Sequence, residues 1–461
     1  MKWTIRRRIH CIGIGGAGMA PLAELLCARG AHVTGSDRQD SRTTQRLREA
    51  GIEVQTGHEP QLVRDAQMVV YSSAVGVENP ERAYAQHQGI PQYRRAEVLG
   101  QLMRHAFSVG VAGTHGKTTT TAMIGHLLSE AGLDPTVMVE MPGRSSNGLI
   151  GSEDLLVTEA DEYDRSFLAM YPVVAVLTNV EADHLDCYGT IDRIKDAFIE
   201  FCSHVPFYGC VVACIDDPGV CEVIERTAAT VVTCATGREA DYRGSWQPLS
   251  GGGALVQVDG PDGVCGAFEL KLMGEHNVRN ALAAAVAAMR SGVPFESIAA
   301  AMPSFGGVRR RMEVVGEAQG VRVIDDYAHH PTEVRATLRA VRGMSAGRVF
   351  TVFQPHLYSR TRDFIDAFAE SLMESDMVCV VDIYAAREEP IPGVSSSAIV
   401  ERVRALGHGD AAHVASCADA VEMVAPRVQA GDVVILMGAG DIGASAQPML
   451  ERIAYGSTGR C

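Results

Sequence analysis

Six consecutive residues, Gly113-Thr114-His115-Gly116-Lys117-Thr118, have the types and spacing needed to bind the phosphates of a nucleoside triphosphate. An apolar segment from Phe107 to Ala112 precedes them, and a helical pattern from Lys117 to Ala131 follows. A strand, a glycine-rich turn and a helix N-terminus in this order direct backbone N–H groups at an anion. Lys117 is therefore expected to reach the outer phosphates, and the hydroxyl of Thr118 to hold Mg²⁺. Val111 stands where the strict motif has its first glycine, so the loop is a variant.

Carboxylates follow the next two apolar segments. The run from Glu159 to Asp164 comes after a predicted strand at 154–158, and Asn179 to Asp186, which contains His184, comes after one at 173–178. Because the carboxyl ends of parallel strands meet at one sheet edge, we expect these groups beside the phosphate loop. Carboxylates are suitable ligands for Mg²⁺, whereas a histidine ligand is unusual and indicates a second metal or an outer role. The alternative for the acidic run is a solvated loop.

Two further groups of polar residues lie later in the chain. Gly274 to Asn280 opens a predicted helix over 277–290, in which Asn277 is either the N-cap or, with Asn280 one turn later, a pair of amides that reads an adenine edge. Asp325 to Pro331, which contains His329, ends a predicted strand, and Arg360 and Arg362 follow Gln354-Pro355-His356-Leu357. Histidines, arginines and carboxylates at strand ends predict a substrate site. For Arg309-Arg310-Arg311, a solvated basic surface is the alternative.

A second glycine cluster, Gly13-x-Gly15-Gly16-x-Gly18, lies between a predicted strand at 9–14 and a predicted helix. It matches the dinucleotide fingerprint, and Asp37 falls near the position of an acidic residue that would hold a ribose hydroxyl. A glycine turn at a helix N-terminus accepts any pyrophosphate, including that of a UDP-sugar. The cluster alone therefore leaves NAD and another nucleotide open, and an ATP loop in the next domain favours the latter.

These groups must be positioned by an α/β architecture of three doubly wound domains, which we place at residues 1–106, 107–308 and 309–461. A chain of 461 residues is too long for a single core, and strand and helix patterns alternate throughout.

The net charge of −15 argues against generic nucleic-acid binding. No signal peptide or membrane span is predicted. The 12 cysteines are scattered and include no C-x-x-C pair, so reduced thiols and a cytoplasmic location are expected.

Taken together, the motifs resemble those of the Mur ligases along essentially the whole chain. They are G-x-x-G-T-x-G-K-T, E-A-D-E, A-D-H-L-D, H-N-V-R-N, the paired arginines at 310–311 and D-D-Y-A-H-H-P-T-E. The opening I-G-I-G-G-A-G-M, followed by G-S-D, resembles the members that add L-alanine to UDP-N-acetylmuramate. Segments 354–356, 387–393 and 437–441 fit the same members.

The resemblance implies an ATP- and Mg²⁺-dependent ligase of cytoplasmic peptidoglycan synthesis. The first domain would bind a UDP-sugar and resemble a Rossmann fold, the second would be a P-loop ATP-binding domain, and the third would be Rossmann-like and bind an amino acid. The lactyl carboxylate of UDP-N-acetylmuramate would be phosphorylated by ATP, and the amine of L-alanine would then displace phosphate from the acyl phosphate. These small molecules would be the partners, with no nucleic acid and no membrane, and the chain would be a monomer or weak homodimer.

The resemblance also assigns residues. Lys117, His184, His329 and Arg310 would be catalytic. ATP would be bound by Gly113, Thr114, His115, Gly116, Lys117, Thr118, Thr119, Asn277 and Asn280. The metal would be held by Thr118, Glu159 and His184. The UDP-sugar or the amino acid would be bound by Gly15, Gly16, Gly18, Asp37, Ser72, Ser73, His329 and Arg360.

Two positions depart from the family pattern. Leu357 stands where some members place an arginine, and Lys195 is the only lysine within reach by sequence for the carbamylated lysine that several members use. Three other functions remain open: the sibling ligase that recycles a murein tripeptide, a non-catalytic ATP switch, and an NAD-dependent UDP-sugar oxidoreductase. The switch would not need the His329 and Arg360 group, and the oxidoreductase lacks a nucleophile placed for its chemistry.

Overall fold

The computed structural model describes residues 4–140, 148–250, 252–261, 263, 265–344, 346–386 and 388–456. The chain forms an α/β structure with three sheets. It divides into two compact units. The first comprises Met1–Gln247, Leu255–Glu269 and Arg279–Phe305, and the second comprises Pro248–Ala254, Leu270–Val278 and Gly306–Cys461. The domain boundaries predicted at 106 and 308 stay predictions.

The first sheet has five parallel strands in the order β3-β2-β1-β4-β5, with the glycine cluster directly after β1. Its elements are β1 (Arg8–Ile12), α1 (Met19–Ala28), β2 (His32–Asp37), α2 (Arg42–Glu49), β3 (Glu53–Thr56), β4 (Met68–Tyr71), α3 (Pro80–His87), β5 (Gln92–Arg94) and α4 (Arg95–Met103). β1 ends two residues earlier than predicted, because Gly13 turns the chain with a φ of 75°.

The second sheet has ten strands in the order β15-β14-β13-β12-β11-β10-β6-β9-β7-β8. Its elements are β6 (Phe107–Ala112), α5 (Lys117–Glu130), β7 (Thr136–Met138), β8 (Gly148–Leu149), β9 (Leu155–Glu159), β10 (Val174–Leu177), α6 (Leu185–Tyr188), α7 (Ile191–Ser203), β11 (Cys210–Cys214), α8 (Pro218–Ile224), β12 (Val231–Ala235), β13 (Tyr242–Pro248), β14 (Ala254–Asp259), β15 (Cys265–Leu270), α9 (Glu275–Arg290) and α10 (Phe295–Ala301). β6 lies between β9 and β10 and is parallel to both, so the carboxyl ends of all three meet at one edge, as the sequence predicted.

The third sheet has six strands in the order β16-β17-β21-β18-β19-β20, and only the β16 and β17 pair is antiparallel among its pairings. Its elements are β16 (Glu313–Ala318), β17 (Val321–Asp326), α11 (Pro331–Met344), β18 (Val349–Phe353), α12 (Tyr358–Leu372), β19 (Met377–Val380), α13 (Ser396–Ala405), β20 (Ala411–His413), α14 (Cys417–Val424), β21 (Val433–Met437) and α15 (Ala446–Gly456). Separate apolar clusters cover its two faces, as expected for a doubly wound sheet.

A network of buried polar side chains connects β1, β2 and α3 of the first sheet. Glu81 is 0% exposed and accepts hydrogen bonds from Ser36 Oγ at 2.7 Å and from the backbone N–H of Glu59 at 3.2 Å. Its Oε2 lies 3.2 Å from His10 Nε2. Burial by itself raises the pKa of Glu81, but the contacts with His10 and Ser36 outweigh it and hold the pKa below its ordinary value of 4.5.

We expect Glu81→Gln to destabilise the protein at pH 7 by about 1–3 kcal/mol, because buried donors lose a charged acceptor. Since the folded-state pKa is depressed, the stabilising contribution is present above pH 4.5 and is lost as the pH falls through the folded value. The difference in Tm between variant and wild type should therefore narrow below pH 4.5. Calorimetry from about pH 3 to pH 7 measures this difference, because the loss occurs as the pH falls through the depressed pKa. Glu53→Gln, at an exposed position on β3, is the control. A constant difference across this range would contradict the expectation.

Within the described residues, no helix has the length and apolar character needed to cross a bilayer. Ten of the 12 cysteines, those whose side chains the structure describes, are free thiols. Among them, Cys214 and Cys234 lie on paired strands with their Sγ atoms 3.7 Å apart.

Candidate active site

The phosphate loop follows β6 directly and leads into α5, as predicted. Gly113 and Gly116 have φ values of 143° and 80°, which other residues rarely adopt. Neighbouring atoms add a second constraint, because a Cβ would lie 2.0 Å from Thr178 Oγ1 at Gly113 and 2.5 Å from Asn280 Oδ1 at Gly116. Both glycines are thus required by backbone conformation and by close packing.

The end of β10 holds the loop in place. Asn179 Oδ1 accepts from the N–H of His115 at 2.8 Å, and Thr178 Oγ1 donates to the His115 carbonyl at 2.6 Å. Thr114 Oγ1 accepts from the N–H of Glu181 at 2.9 Å. The sequence placed the segment from Asn179 at this edge, but it did not identify Thr178 and Asn179 as anchors of the loop.

Lys117, the first residue of α5, points back over the loop. Its Nζ donates to Glu162 Oε2 and to the Gly113 carbonyl, both at 2.8 Å, and lies 3.4 Å from Asp161 Oδ1. Burial alone lowers the pKa of Lys117, but the carboxylates of Glu162 and Asp161 outweigh it and raise the pKa above its ordinary value. The side chain is therefore a permanent positive charge at the place where outer phosphates are expected.

Thr118 and Glu159 come together as the sequence predicted. Thr118 Oγ1 donates to Glu159 Oε2 at 3.0 Å, and the N–H of Glu140 donates to Glu159 Oε1 at 2.7 Å. Burial, and secondarily the nearby carboxylate of Glu140, raises the pKa of Glu159 to about 8. A divalent cation favours the ionised form of a neighbouring carboxylate and would offset the cost of ionising Glu159. The buried carboxylate, next to the Thr118 hydroxyl at a helix N-terminus, therefore fits a divalent cation.

A second acidic group lies next to it. Asp161, Glu162 and His184 each offer a ligand atom, and these atoms all lie within 4.8 Å of one another. Glu162 Oε1 is buried and accepts no hydrogen bond among the described atoms. Burial raises the pKa of Asp161, but Lys117, His184 and Arg95 outweigh it, and the pKa lies below its ordinary value. These residues fit a further cation, with His184 in the position that the sequence suggested. The sequence gave no specific role to Asp161 or Glu162.

The two asparagines of α9 lie in the same helix, and both are buried. Of the two alternatives for Asn277, the N-cap is wrong. The helix begins at Glu275, so Asn277 is its third residue, and its Nδ2 donates to the Met273 carbonyl at 2.8 Å. Asn280 lies against Gly116 of the phosphate loop, which is compatible with a contact to the nucleotide.

The glycine cluster of the first sheet forms a loop before α1, and Gly18 precedes the first helical residue. Asp37 Oδ2 accepts from the N–H of Gly15 at 2.8 Å, so in this structure Asp37 holds the loop. A Cβ on Gly13 would lie 3.6 Å from Ser72 Cβ, so the loop and the turn that starts at Ser72 are neighbours. The structure thus brings together the predicted UDP-sugar residues Gly15, Gly16, Gly18, Asp37, Ser72 and Ser73 around this edge of the sheet.

The second unit carries the predicted amino-acid residues at the carboxyl ends of its strands. His329 Nδ1 lies 2.9 Å from the Tyr327 carbonyl, and its ring is 5.9 Å from that of His356. His356 stacks on Tyr384 with ring centroids 5.8 Å apart. Arg360 is 6% exposed, near the start of α12. His356 and Tyr384 therefore belong to this cluster, although the sequence assigned them no role.

Two further predicted residues of the second unit have well-defined surroundings. Arg310 has a φ of 54°, and its Nη2 donates to the Gly438 carbonyl at 2.7 Å while its Nε lies 3.2 Å from Asp325 Oδ2. Leu357 has a φ of 70°, a strained value for a residue with a Cβ. Arg387, the first residue of the segment 387–393 that resembles the family, lies outside the described residues. Lys195, on α7, has its Nζ 2.6 Å from Glu222 Oε2, which gives no support to a role as a carbamylated metal ligand.

Three models of known families match the chain in order. They are the catalytic domain of the Mur ligase family at residues 8–107, the Mur ligase middle domain at 111–288, and the glutamate ligase domain of Mur ligases at 310–440.

Curated relatives match over nearly the whole length. The UDP-N-acetylmuramate–L-alanine ligase of Sorangium cellulosum is 44% identical over 97% of this chain and 96% of its own, and that of Salinibacter ruber is 44% identical over 96% and 94%. The crystal structure of the UDP-N-acetylmuramate–alanine ligase of Thermotoga maritima superposes with a TM-score of 0.79, covering 98% of this chain and 100% of its own at 28% identity. A murein peptide ligase of Psychrobacter arcticus gives a TM-score of 0.68, covering 97% and 99% at 25% identity.

Proposed function

This chain belongs to the Mur ligase family and has its three-domain fold, and we propose that it joins L-alanine to the lactyl carboxylate of UDP-N-acetylmuramate at the expense of ATP. The observation that carries the proposal is the group formed by Lys117, Thr118 and Glu159, in the same compact unit as the glycine loop of the first sheet. A phosphate-transfer centre and a second nucleotide loop suit a reaction between ATP and a nucleotide-linked acid. The greater similarity to the alanine-adding relatives favours alanine over a peptide as the second substrate.

The reaction proceeds in two transfers. A lactyl carboxylate oxygen attacks the γ-phosphorus of ATP, the bond to the β,γ-bridging oxygen breaks, and ADP leaves. The alanine nitrogen then attacks the acyl carbon, phosphate leaves with the electron pair of the C–O bond, and the nitrogen loses a proton. An anionic nucleophile must approach a polyanion in the first transfer, so positive charge at the γ-phosphate is the main requirement.

The residues of the first unit supply that charge. Lys117 neutralises the β- and γ-phosphates, and the backbone N–H groups of the loop from Gly113 to Thr119 bind their oxygens. Thr118 and Glu159 would hold Mg²⁺, which supplies further charge neutralisation when it is bound. His184, with Asp161 and Glu162, would hold a second ion. On helix α9, Asn280 and Asn277 would contact the adenine. At the first sheet, the UDP-sugar would be bound by Gly15, Gly16, Gly18, Asp37, Ser72 and Ser73.

The residues of the second unit serve the amine. Arg360 binds the carboxylate of alanine, and His329 orients the amine or accepts its proton. Arg310 contacts phosphate. We further propose domain boundaries at 106/107 and 308/309, a cytoplasmic location, and a monomer or weak homodimer.

The test is substrate dependence. Phosphate release from ATP is expected to require both UDP-N-acetylmuramate and L-alanine, with no requirement for NAD. A pocket for one methyl group discriminates by only about 1–3 kcal/mol, so glycine and serine should be accepted weakly, and larger side chains should be excluded. Rapid ATP hydrolysis without the UDP-sugar would favour an ATP switch instead. Turnover with the murein tripeptide but not with alanine would favour the recycling ligase.

Arg360→Ala is expected to raise the KM for alanine roughly tenfold or more, because a hydrogen bond to a charged group contributes about 1.5–3 kcal/mol. The Kd for ATP, measured separately by calorimetry, should stay nearly unchanged. Arg362→Ala is the matched control, since Arg362 lies two residues further along α12 with 54% of its side chain exposed and pairs with Asp363. An unchanged alanine KM, or an equal loss of ATP affinity, would remove Arg360 from the amino-acid site.

A further inference from the structure

Arg95 and Glu140, which both lie beside the proposed phosphate-transfer site, form an ion pair with each other. Arg95 is the first residue of α4, and its Nη1 lies 2.6 Å from Glu140 Oε1. The two side chains are only 17% and 28% exposed, so the pair is well shielded from water. Its energy is therefore less reduced by solvent than that of an open surface pair.

One side of this pair contacts the glycine loop of the first sheet. A Cβ on Gly18 would lie 2.5 Å from Arg95 Nη1 and 2.9 Å from Glu140 Oε1. The guanidinium and the carboxylate thus pack directly on the backbone that precedes α1. A shift of Gly18 toward the pair would therefore displace the two side chains.

The other side of the pair contacts the proposed magnesium site. The N–H of Glu140 donates to Glu159 Oε1 at 2.7 Å, while Glu159 Oε2 accepts from Thr118. Glu140 therefore contacts Arg95 through its carboxylate and Glu159 through its backbone. Gly18, Arg95, Glu140 and Glu159 form an unbroken series of contacts.

The helix that begins with Arg95 is itself fixed to the acidic segment. A Cβ on Gly100 of α4 would lie 1.8 Å from the Ala169 carbonyl oxygen, so α4 packs against the backbone of the 3₁₀ turn Tyr163–Ala169. This turn follows Glu159, Asp161 and Glu162 in the chain. The backbone of α4, which carries Arg95, is thus packed against the segment that follows the proposed metal-binding carboxylates.

We infer that Arg95 and Glu140 are positioning residues that couple the UDP-sugar loop at Gly18 to the magnesium carboxylate Glu159, so that UDP-N-acetylmuramate and Mg²⁺-bound ATP strengthen each other's binding. The inference rests on the proposed function for the identity of the two ligands. Neither residue needs to touch a reacting atom. The coupling is reciprocal, because each ligand must change the affinity for the other by the same factor.

The experiment measures this factor directly. Calorimetry gives the Kd of Mg²⁺ with a non-hydrolysable ATP analogue in the absence and presence of saturating UDP-N-acetylmuramate. In the wild type the sugar nucleotide is expected to lower this Kd roughly fivefold or more, within the usual range of coupling energies. In Arg95→Met and in Glu140→Gln the factor should fall below about twofold. The double variant should be no worse than either single one, because both remove the same link.

The control is a second ion pair of the same domain. Arg46 and Glu24 are 20% and 17% exposed, similar to Arg95 and Glu140, and lie on α2 and α1. Arg46→Met should keep the wild-type factor, and Arg95→Lys should keep part of it because the charge remains. Thermal unfolding of every variant shows that it is folded at the temperature of measurement.

Three results would overturn the inference. The first is a wild-type Kd for the Mg²⁺-bound analogue that UDP-N-acetylmuramate does not change. The second is an Arg95→Met variant with the same coupling factor as the wild type. The third is a double variant in which the losses of coupling energy of the two single variants add. If Arg95→Met instead weakens UDP-N-acetylmuramate binding to the analogue-free enzyme and keeps the factor, Arg95 is a direct ligand of the sugar nucleotide and the link is wrong. Failure of wild-type enzyme to bind UDP-N-acetylmuramate at all would count against the proposed function, which separates the two failures.

Discussion

Lys117→Met is expected to lower kcat by about a hundredfold or more while the protein stays folded. Lys117 provides a buried positive charge at the start of α5, where negative charge gathers as the carboxylate attacks the γ-phosphate. Removing one charge of this kind costs on the order of 10²–10³ in turnover. ATP affinity should fall by a smaller factor, because the backbone N–H groups of the loop still bind the phosphates.

The variant also leaves Glu162 and Asp161 without their cation, so a structural effect must be separated from a catalytic one. Lys195→Met is the matched control. Lys195 is exposed to the same extent, 14%, and pairs with Glu222 on the surface of the same unit. It should retain wild-type kcat and KM values. Near-normal turnover of Lys117→Met would show that the phosphate site is wrongly assigned, and a loss in Lys195→Met would revive the carbamylated lysine.

Local patterns were enough to predict the elements that carry the site. β6 occupies the predicted residues, and the phosphate loop, Glu159 and Thr118 lie together as expected. The reason is that a glycine loop, a buried parallel strand and a helix start each leave a short-range signal. Register then brings the ends of neighbouring parallel strands to one edge without further information.

Contacts that depend on tertiary packing were not predictable. Asparagine favours the N-cap position, which made an N-cap one of the two alternatives for Asn277, but the helix begins two residues earlier and the side chain donates to a preceding carbonyl. The Arg95 and Glu140 pair joins residues 45 positions apart, and no local pattern relates them. Similarly, Tyr384 joins the histidine cluster through stacking on His356, which leaves no periodic signal.

Glu159→Gln is expected to raise the Mg²⁺ concentration needed for half-maximal activity about tenfold or more and to lower kcat on the order of a hundredfold at ordinary Mg²⁺. The substitution keeps the size of the side chain, and its amide oxygen can still accept from the N–H of Glu140. Its amide nitrogen can donate to Thr118 Oγ1, in reverse of the bond that the carboxylate accepts from Thr118. The main loss is therefore the charge that would bind the cation. Raising the Mg²⁺ concentration should therefore recover part of the activity, which a purely structural defect would not allow.

Glu81→Gln is a suitable control for this experiment, because Glu81 is also a buried carboxylate but lies in the hydrogen-bond network of the first sheet. It should lower thermal stability and leave the Mg²⁺ dependence unchanged. The measurement is a Mg²⁺ titration of phosphate release at saturating substrates for both variants and the wild type. If Glu159→Gln keeps the wild-type Mg²⁺ dependence, the cation is not held by Glu159. The group of Asp161, Glu162 and His184 then becomes the site to test, because its ligand atoms lie within 4.8 Å of one another.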